Sequence, residues 1–249
     1  MSCYTDSCGG RFNNVVQQPV GTKSVERTAV FLTLDGGDGC GKSTQLKRLG
    51  DRLTALGRQV VLCRDPGSTD LGNAVREILL HGRKLNILDR TEMLLFMAAR
   101  AQMVEEVIRP ALANGADVLS DRFLLSNIVY QSYAGGVPLH ELETVGEIAV
   151  GGLRPDLSIV LDVPYEVAVQ RIGQRAAADR MELKGEEYHK RVRQGFLVHA
   201  ATDPSRYVVV DASGTPDEVE RAILAILNKN EVFEGEISRA PLFSEGNSW

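Results

Sequence analysis

Residues 29–46 read Ala-Val-Phe-Leu-Thr-Leu-Asp-Gly-Gly-Asp-Gly-Cys-Gly-Lys-Ser-Thr-Gln-Leu and carry the strongest structural signal in the chain. The first six residues form an almost continuous apolar run, which is typical of a strand buried on both faces. Leucines then recur at positions 46, 49, 53 and 56 with helical spacing, and Gly57 follows where a helix commonly ends. The stretch therefore predicts a strand, a glycine-rich loop and an amphipathic helix.

The loop, residues 36–43, matches the pattern G-x-x-x-x-G-K-[ST]. Glycines let successive backbone N–H groups converge on phosphate oxygens, and the helix N-terminus adds partial positive charge. Lys42 is expected to reach the β- and γ-phosphates of a nucleoside triphosphate, and Ser43 to place its hydroxyl on Mg²⁺. The predicted ATP-binding residues here are Gly36, Gly37, Asp38, Gly39, Cys40, Gly41, Lys42, Ser43 and Thr44.

Asp38 is unusual because a phosphate ligand would repel a carboxylate in its cradle. We therefore expect its side chain to point away from the triphosphate. Two destinations remain open from the sequence: a sugar hydroxyl on a second substrate, or solvent.

Outward from this stretch, strands are predicted at residues 59–63, 116–120, 157–163 and 206–210, with helices near 71–80 and 90–113. Pro164 is expected at the first position of a further helix. Strands that alternate with helices predict an α/β fold, a parallel five-stranded sheet with helices on both faces. We expect a flexible N-terminal extension over residues 1–27, one domain over 28–229 and a tail over 230–249.

The net charge, the apolar runs and the cysteine spacing each argue against certain classes of function. The 249 residues include 28 Lys and Arg against 33 Asp and Glu, a net charge of −5 that argues against a binder of nucleic-acid polymers. No apolar run suggests a membrane span, and the first 27 residues lack an apolar signal core. The four cysteines (positions 3, 8, 40 and 63) lack zinc-ligand spacing, so we expect reduced thiols and a cytoplasmic protein.

Several segments together resemble the thymidylate kinases, and the similarity runs from about Val30 to Leu227. Besides the loop, they are Arg64-Asp65-Pro66-Gly67-Ser68-Thr69, Leu94-Leu95-Phe96-Met97-Ala98-Ala99-Arg100, Ser120-Asp121-Arg122-Phe123 and Ser126-Asn127-Ile128-Val129-Tyr130-Gln131. The resemblance implies a P-loop NTPase-type sheet with a small lid at about 171–182. It also implies a homodimer that transfers phosphate from ATP to dTMP with Mg²⁺, a step in dTTP synthesis.

Two helix faces carry the base-binding candidates. Phe96 and Arg100 are four residues apart, and Asn127, Tyr130 and Gln131 also share a face. The resemblance implies that Phe96 stacks on thymine, that Arg100 reaches its O4 and that Tyr130 crowds a ribose 2′-OH. Taken singly, each pair also fits an ordinary helix surface or core.

The phosphate candidates follow strands. Asp121 and Arg122 come directly after the third strand, at the sheet edge where ligands bind. Arg122 suits bidentate binding of the acceptor phosphate. The resemblance adds Arg76, whose alternative is a solvated helix arginine, and places Asp121 near the metal, directly or through water. Bacterial members usually have Glu where Asp65 precedes Pro66, so the contact of this shorter acid with the metal or acceptor side stays open.

Some family members carry an arginine in the loop, where this chain has Gly39. The missing positive charge is expected from the lid, with Arg171, Arg175 and Arg180 as ATP-binding residues and Arg175 as the catalytic one. Together with Lys42, Arg122 and Asp121, it completes the predicted catalytic set. The alternative for the lid is a solvated basic helix end.

Two other functions compete with dTMP phosphorylation. One is a P-loop kinase acting on another nucleotide, a nucleoside or shikimate, and the helix faces around Phe96 and Asn127 argue against it. The other is a nucleotide-binding regulator without turnover. The two predicted substrate sites argue against that function.

Overall fold

In the computed structural model, residues 29–82, 85–173, 180–230 and 232–233 are described. Within these residues, five parallel strands pair in the order β2-β3-β1-β4-β5, which confirms the predicted sheet. They are β1 (Phe31–Gly36), β2 (Val60–Arg64), β3 (Asp117–Asp121), β4 (Leu157–Asp162) and β5 (Tyr207–Asp211). Every residue of β1 is buried, as expected for the central strand.

Helices cover both faces of the sheet. They are α1 (Lys42–Ala55), α2 (Asp70–Arg76), α3 (Asp89–Met103), α4 (Arg109–Ala113), α5 (Leu124–Asn127), α6 (Leu139–Val150), α7 (Tyr165–Ile172), α8 (Glu186–Ala200) and α9 (Pro216–Lys229). Turns of π-helix extend α2 over Glu77–His81, join α3 to α4 over Val104–Ile108 and extend α5 over Ile128–Tyr133. No helix within the described ranges is both long and apolar enough to cross a membrane.

Side chains alternate across β1 and so build two cores. Leu32 and Leu34 pack in one core with Leu49 of α1 and Ile223 of α9. Phe31 points to the opposite face and meets Phe123 edge-on, with ring centroids 5.1 Å apart. This alternation fixes the register of β1 and hence the position of the loop that follows it.

The start of α7 differs from the prediction. Pro164 caps α7 instead of occupying its first turn, because its ψ of 147° is extended although its φ of −55° suits a helix. Phe233 lies within the predicted tail over residues 230–249. Phe233 is buried in the core beside α1 and α9, with the Arg58 guanidinium 5.0 Å from its ring centroid. The predicted N-terminal extension lies outside the described residues.

The carboxyl ends of three neighbouring strands meet at one sheet edge. The Arg122 backbone N–H donates to the Leu34 carbonyl at 3.0 Å, and the Asp65 N–H donates to the Asp121 carbonyl at 2.9 Å. These bonds bring the segments after β1, β2 and β3 side by side. Ligands of open α/β sheets bind at this edge.

Candidate active site

The loop after β1 adopts conformations that require glycine. Gly39 has φ +77° and Gly41 has φ +94°, both in the left-handed region. A Cβ on Gly39 would lie 2.6 Å from the Ala168 carbonyl oxygen and 3.1 Å from Ile172. The backbone of α7 therefore leaves no room for an arginine at this position, which explains physically why the loop carries none.

Lys42 opens α1 and folds back over the loop. Its Nζ donates to the Gly37 carbonyl at 2.7 Å and to the Gly36 carbonyl at 3.2 Å. The Ser43 hydroxyl donates to Asp121 Oδ2 at 2.8 Å, so an alcohol and a carboxylate from two elements converge. Hard oxygen donors of this kind are the ligands that Mg²⁺ prefers, and the pair fits that ion.

A cavity of about 240 Å³ opens over this loop. Among the described residues, four cationic side chains line it: Lys42, Arg64, Arg76 and Arg122. Acidic residues line it as well, among them Glu182. Arg64 and Glu182 were not among the predicted residues; Arg64 ends β2 and precedes Asp65, so its position at the sheet edge was the available signal.

The Asp38 side chain also lines a second cavity, which lies between α3 and α5. Its Oδ1 accepts from Arg122 Nη2 at 2.5 Å, and its Oδ2 accepts from the Tyr130 hydroxyl at 2.9 Å. Burial alone would raise the pKa of Asp38, but Arg122, Lys42 and the Tyr130 hydrogen bond together lower the pKa below its usual value. The structure therefore places the Asp38 carboxylate against Arg122 and Tyr130, with little exposure to solvent.

Arg122 is held from several directions. Its φ is +70°, an uncommon conformation for a residue with a side chain, and such strain concentrates at functional sites. Its Nη1 donates to the Gly36 carbonyl at 2.8 Å and to the Ser126 hydroxyl at 3.1 Å. The guanidinium thus joins the Gly36 carbonyl and the Asp38 carboxylate of the loop to the Ser126 hydroxyl of α5.

The second cavity lies between α3 and α5. Phe96, Arg100, Asn127 and Gln131 line it, as do Leu80 and Met181, which sequence reasoning missed because both are ordinary apolar residues. The Asn127 Nδ2 donates to Gln131 Oε1 at 2.7 Å. Asn127 Oδ1 is buried and has no hydrogen-bond partner within the described part of the chain, so it is available to a donor on a ligand.

Asp65 reaches the arginine of this cavity. Arg100 Nε donates to Asp65 Oδ2 at 2.6 Å, and both side chains are almost fully buried. Burial raises the pKa of Asp65 in spite of the opposing Arg100 charge. The carboxylate therefore fixes the orientation of Arg100. The other oxygen, Asp65 Oδ1, has no hydrogen-bond partner among the described residues.

The predicted arginines Arg76, Arg171 and Arg180 have different hydrogen-bond partners from one another. Arg76 Nη1 donates to the Pro66 carbonyl at 3.0 Å, and the residue lines both cavities. Arg171 Nη1 donates to the Ala212 carbonyl at 3.0 Å, in the loop after β5. Arg180 donates to the Leu79 carbonyl at 2.7 Å and pairs with Glu92 of α3. Arg175 lies outside the described residues.

Most predicted site residues line the two adjoining cavities. They are Asp38, Gly39, Gly41, Lys42, Ser43, Thr44, Asp65, Pro66, Arg76, Phe96, Arg100, Asp121, Arg122, Asn127, Tyr130 and Gln131. Cys40, Thr44 and Arg171 line a third cavity of about 170 Å³ beside the loop after β5.

Comparisons of the sequence and of the fold with known proteins give one and the same family. A family model described as thymidylate kinase matches residues 34–223. The chain is 49% identical over 196 residues to a thymidylate kinase of Rhodopirellula baltica, covering 79% of each chain. It is 44% identical over 200 residues to one of Pseudomonas fluorescens SBW25, covering 80% of this chain and 95% of the relative. The crystal structure of thymidylate kinase from Ehrlichia chaffeensis matches with a TM-score of 0.65 and 28% identity, over 80% of this chain and 98% of that one.

Proposed function

The chain belongs to the thymidylate kinase family and phosphorylates dTMP, and we propose that ATP is the donor, that Mg²⁺ accompanies it and that the two cavities hold the two substrates. One observation carries this assignment. Asp38, Asp65, Arg76 and Arg122 line both cavities, so the phosphate cradle and the acceptor pocket share a wall. A phosphoryl group can pass between substrates only where such sites adjoin.

On the donor side, the loop N–H groups and Lys42 hold the β- and γ-phosphates. Ser43 and Asp121 hold Mg²⁺, the carboxylate directly or through water. The ion, when bound, neutralises charge on the transferring phosphoryl group. The proximity of the two oxygens, 2.8 Å, supports this role.

On the acceptor side, Arg122 and Arg76 bind the dTMP phosphate, and Asp38 accepts a hydrogen bond from the 3′-hydroxyl. Tyr130 fills the space next to the 2′ position. A dTMP phosphate oxygen attacks the γ-phosphorus, one P–O bond forms, the bond to the β-phosphate oxygen breaks and ADP leaves. Arg122 orients the attacking phosphate.

In the base pocket, Phe96 stacks on thymine and Arg100 donates to O4. Asn127 Oδ1 accepts from N3–H, since it is a buried acceptor of this pocket with no hydrogen-bond partner among the described residues. Asp65 holds Arg100 in position from behind. Gln131 supports Asn127.

Charge that develops during transfer is met by arginines of the lid, because Gly39 has no room for one. Arg175 is the residue we assign to this task. Arg171 supports the nucleotide cavity near the loop after β5. Arg180 is bonded to Glu92, so its contribution to ATP binding requires that this pair opens.

We expect Arg100→Lys to raise the KM for dTMP about 10- to 100-fold and to change the KM for ATP less than about threefold. Lysine keeps a positive charge beside the buried Asp65 but cannot reach both this acid and thymine O4. Alanine is avoided, since it would leave Asp65 buried and unpaired. Steady-state kinetics measures both constants. Arg90→Lys, at an exposed arginine paired with Glu141, is the control. Equal increases for both substrates would assign Arg100 a structural role.

We expect Tyr130→Phe to raise the kcat/KM of ribothymidine 5′-monophosphate relative to dTMP by about tenfold. The change removes only the hydroxyl, while the ring keeps its edge contacts with Tyr188 and Phe196. Tyr133→Phe, on the same helical segment, is the control. A ratio that stays constant in Tyr130→Phe would move sugar discrimination to another residue.

We further propose a homodimer that works in the cytoplasm. Exposed apolar side chains on neighbouring helices support self-association: Leu71 and Ile78 near α2, Leu94 on α3 and Ile148 on α6. Sedimentation equilibrium measures the state directly, and a monomer at micromolar concentration would contradict the proposal.

The donor and metal assignments are tested with γ-phosphate-labelled ATP and dTMP. We expect labelled dTDP with Mg²⁺ and none after EDTA. Label transfer that persists in EDTA would reject the metal. Labelled inorganic phosphate without labelled dTDP would reject transfer to dTMP.

A further inference from the structure

Glu92 is a buried carboxylate behind the base pocket. It lies in the first turn of α3, four residues before Phe96, and is only 2% exposed. Its Oε1 accepts from Gln131 Nε2 at 3.0 Å and lies 3.5 Å from Lys184 Nζ, and its Oε2 accepts from Arg180. Among the described residues, those that line the base cavity include Gln131 but not Glu92.

The Glu92 carboxylate determines which end of the Gln131 amide, and in turn of the Asn127 amide, donates and which accepts. An ionised carboxylate only accepts, so Gln131 must present its Nε2 to Glu92. The Gln131 Oε1 then faces Asn127 and accepts from its Nδ2 at 2.7 Å. An amide has one donor end and one acceptor end, so Asn127 is left with its Oδ1 for the ligand.

Burial makes this direction costly to reverse. Glu92, Asn127 and Gln131 are each at most 3% exposed. A reversed Gln131 would place its carbonyl oxygen against the carboxylate, with no solvent to satisfy either group. Burial raises the pKa of Glu92, but the Gln131 hydrogen bond, Lys184 and Arg180 lower it to a net value below the usual one, so the group is ionised at neutral pH.

We propose that Glu92 is a specificity-determining residue: through Gln131 and Asn127 it presents an acceptor to the base and so selects pyrimidines with an N3–H over cytosine. Thymine and uracil donate at N3, whereas cytosine accepts there. Cytosine also presents an amino group at position 4, where Arg100 needs an acceptor. This inference rests on the proposed placement of the base next to Asn127.

The test compares dTMP, dUMP and dCMP as acceptors for the wild-type protein and Glu92→Gln. The amide introduced by this change can present either of its ends. The relay, that is the hydrogen bonds from residue 92 through Gln131 to Asn127, can then reverse, and Asn127 can offer a donor to cytosine N3. We expect the ratio of kcat/KM for dTMP to that for dCMP to fall about 10- to 100-fold. The dTMP-to-dUMP ratio should stay within about twofold, because both bases have the same N3 edge. A merely distorted pocket would alter both ratios.

A double variant provides rescue. In Glu92→Gln/Gln131→Glu the carboxylate moves one link closer to the base, where it accepts both from Asn127 and from the amide that replaces the original acid. We expect selectivity against dCMP to return. Glu141→Gln, which removes a surface carboxylate paired with Arg90 at 2.9 Å, is the matched control for loss of an acid.

If circular dichroism shows that Glu92→Gln is unfolded, Gln131→Leu cuts the relay while Glu92 keeps its cations, and the same fall is expected. Selectivity that persists in a folded Glu92→Gln or Gln131→Leu protein overturns the inference, as does a double variant that remains unselective. Wild-type protein that does not phosphorylate dTMP would instead reject the proposed function.

Discussion

Lys42→Ala is expected to lower kcat by about 10³-fold while the fold is retained. Lys42 is the one cation within the loop, since Gly39 stands where an arginine has no room. The cationic Nζ contacts the Gly36 and Gly37 carbonyls and Cys40 Sγ, all in the loop itself. The loss of these bonds should cost only about 1–2 kcal/mol of stability.

Single-turnover kinetics at saturating ATP and dTMP, with circular dichroism on the same sample, separates chemistry from folding. Lys47→Ala on α1, an exposed lysine paired with Asp51 at 2.6 Å, is the control and should behave as wild type. A folded Lys42→Ala protein with near-normal turnover would remove the loop from the catalytic site.

Arg122→Lys is expected to reduce kcat/KM for dTMP by about 10²–10³-fold. The guanidinium bonds at once to Asp38, Gly36, Ser126 and Tyr130, a fork that an ammonium group cannot reproduce. The substitution keeps the positive charge, so the loss in kcat/KM measures the contribution of the guanidinium geometry. The KM for ATP should change much less.

Steady-state kinetics with each substrate varied in turn measures this effect. Arg90→Lys, at an exposed arginine paired with Glu141, is the control. If the KM for dTMP and kcat are both unchanged in Arg122→Lys, Arg122 does not bind the acceptor phosphate.

The elements around the loop could be predicted because their signals are local. The apolar run of β1, the helical leucines of α1 and the glycines between them each follow from a few adjacent residues. Strand order could not be read in this way, since β1 pairs with β3 and β4, far away in the chain. The burial of Phe233 within the predicted tail could not be read from the sequence either, because it depends on packing against elements distant in sequence.

In the candidate site, too, features with a local sequence signal could be predicted and those that depend on long-range contacts could not. Phe96 and Arg100 are predicted through the resemblance to the thymidylate kinases, and their spacing on one helix face is compatible with a stacked, hydrogen-bonded base. The contact between Asp65 and Arg100 bridges 35 positions, and neither residue type specifies the other. Glu92 gave no signal at all, because an acid in the first turn of a helix usually stabilises the helix dipole and faces solvent. Its function depends on Gln131 and Arg180, which tertiary structure brings to it.

One measurement tests the paired-site assignment most directly: ADP formation by the purified protein with ATP and Mg²⁺ in the presence of dTMP, dUMP, dCMP, dGMP or thymidine. We expect the highest kcat/KM with dTMP and a lower value with dUMP. Turnover with dCMP, dGMP and thymidine should be close to the rate without acceptor, because dCMP lacks the N3–H and O4 edge, dGMP carries a larger purine base and thymidine lacks the phosphate. Equal or faster turnover with another acceptor, or ATP binding without acceptor-dependent ADP formation, would contradict the assignment.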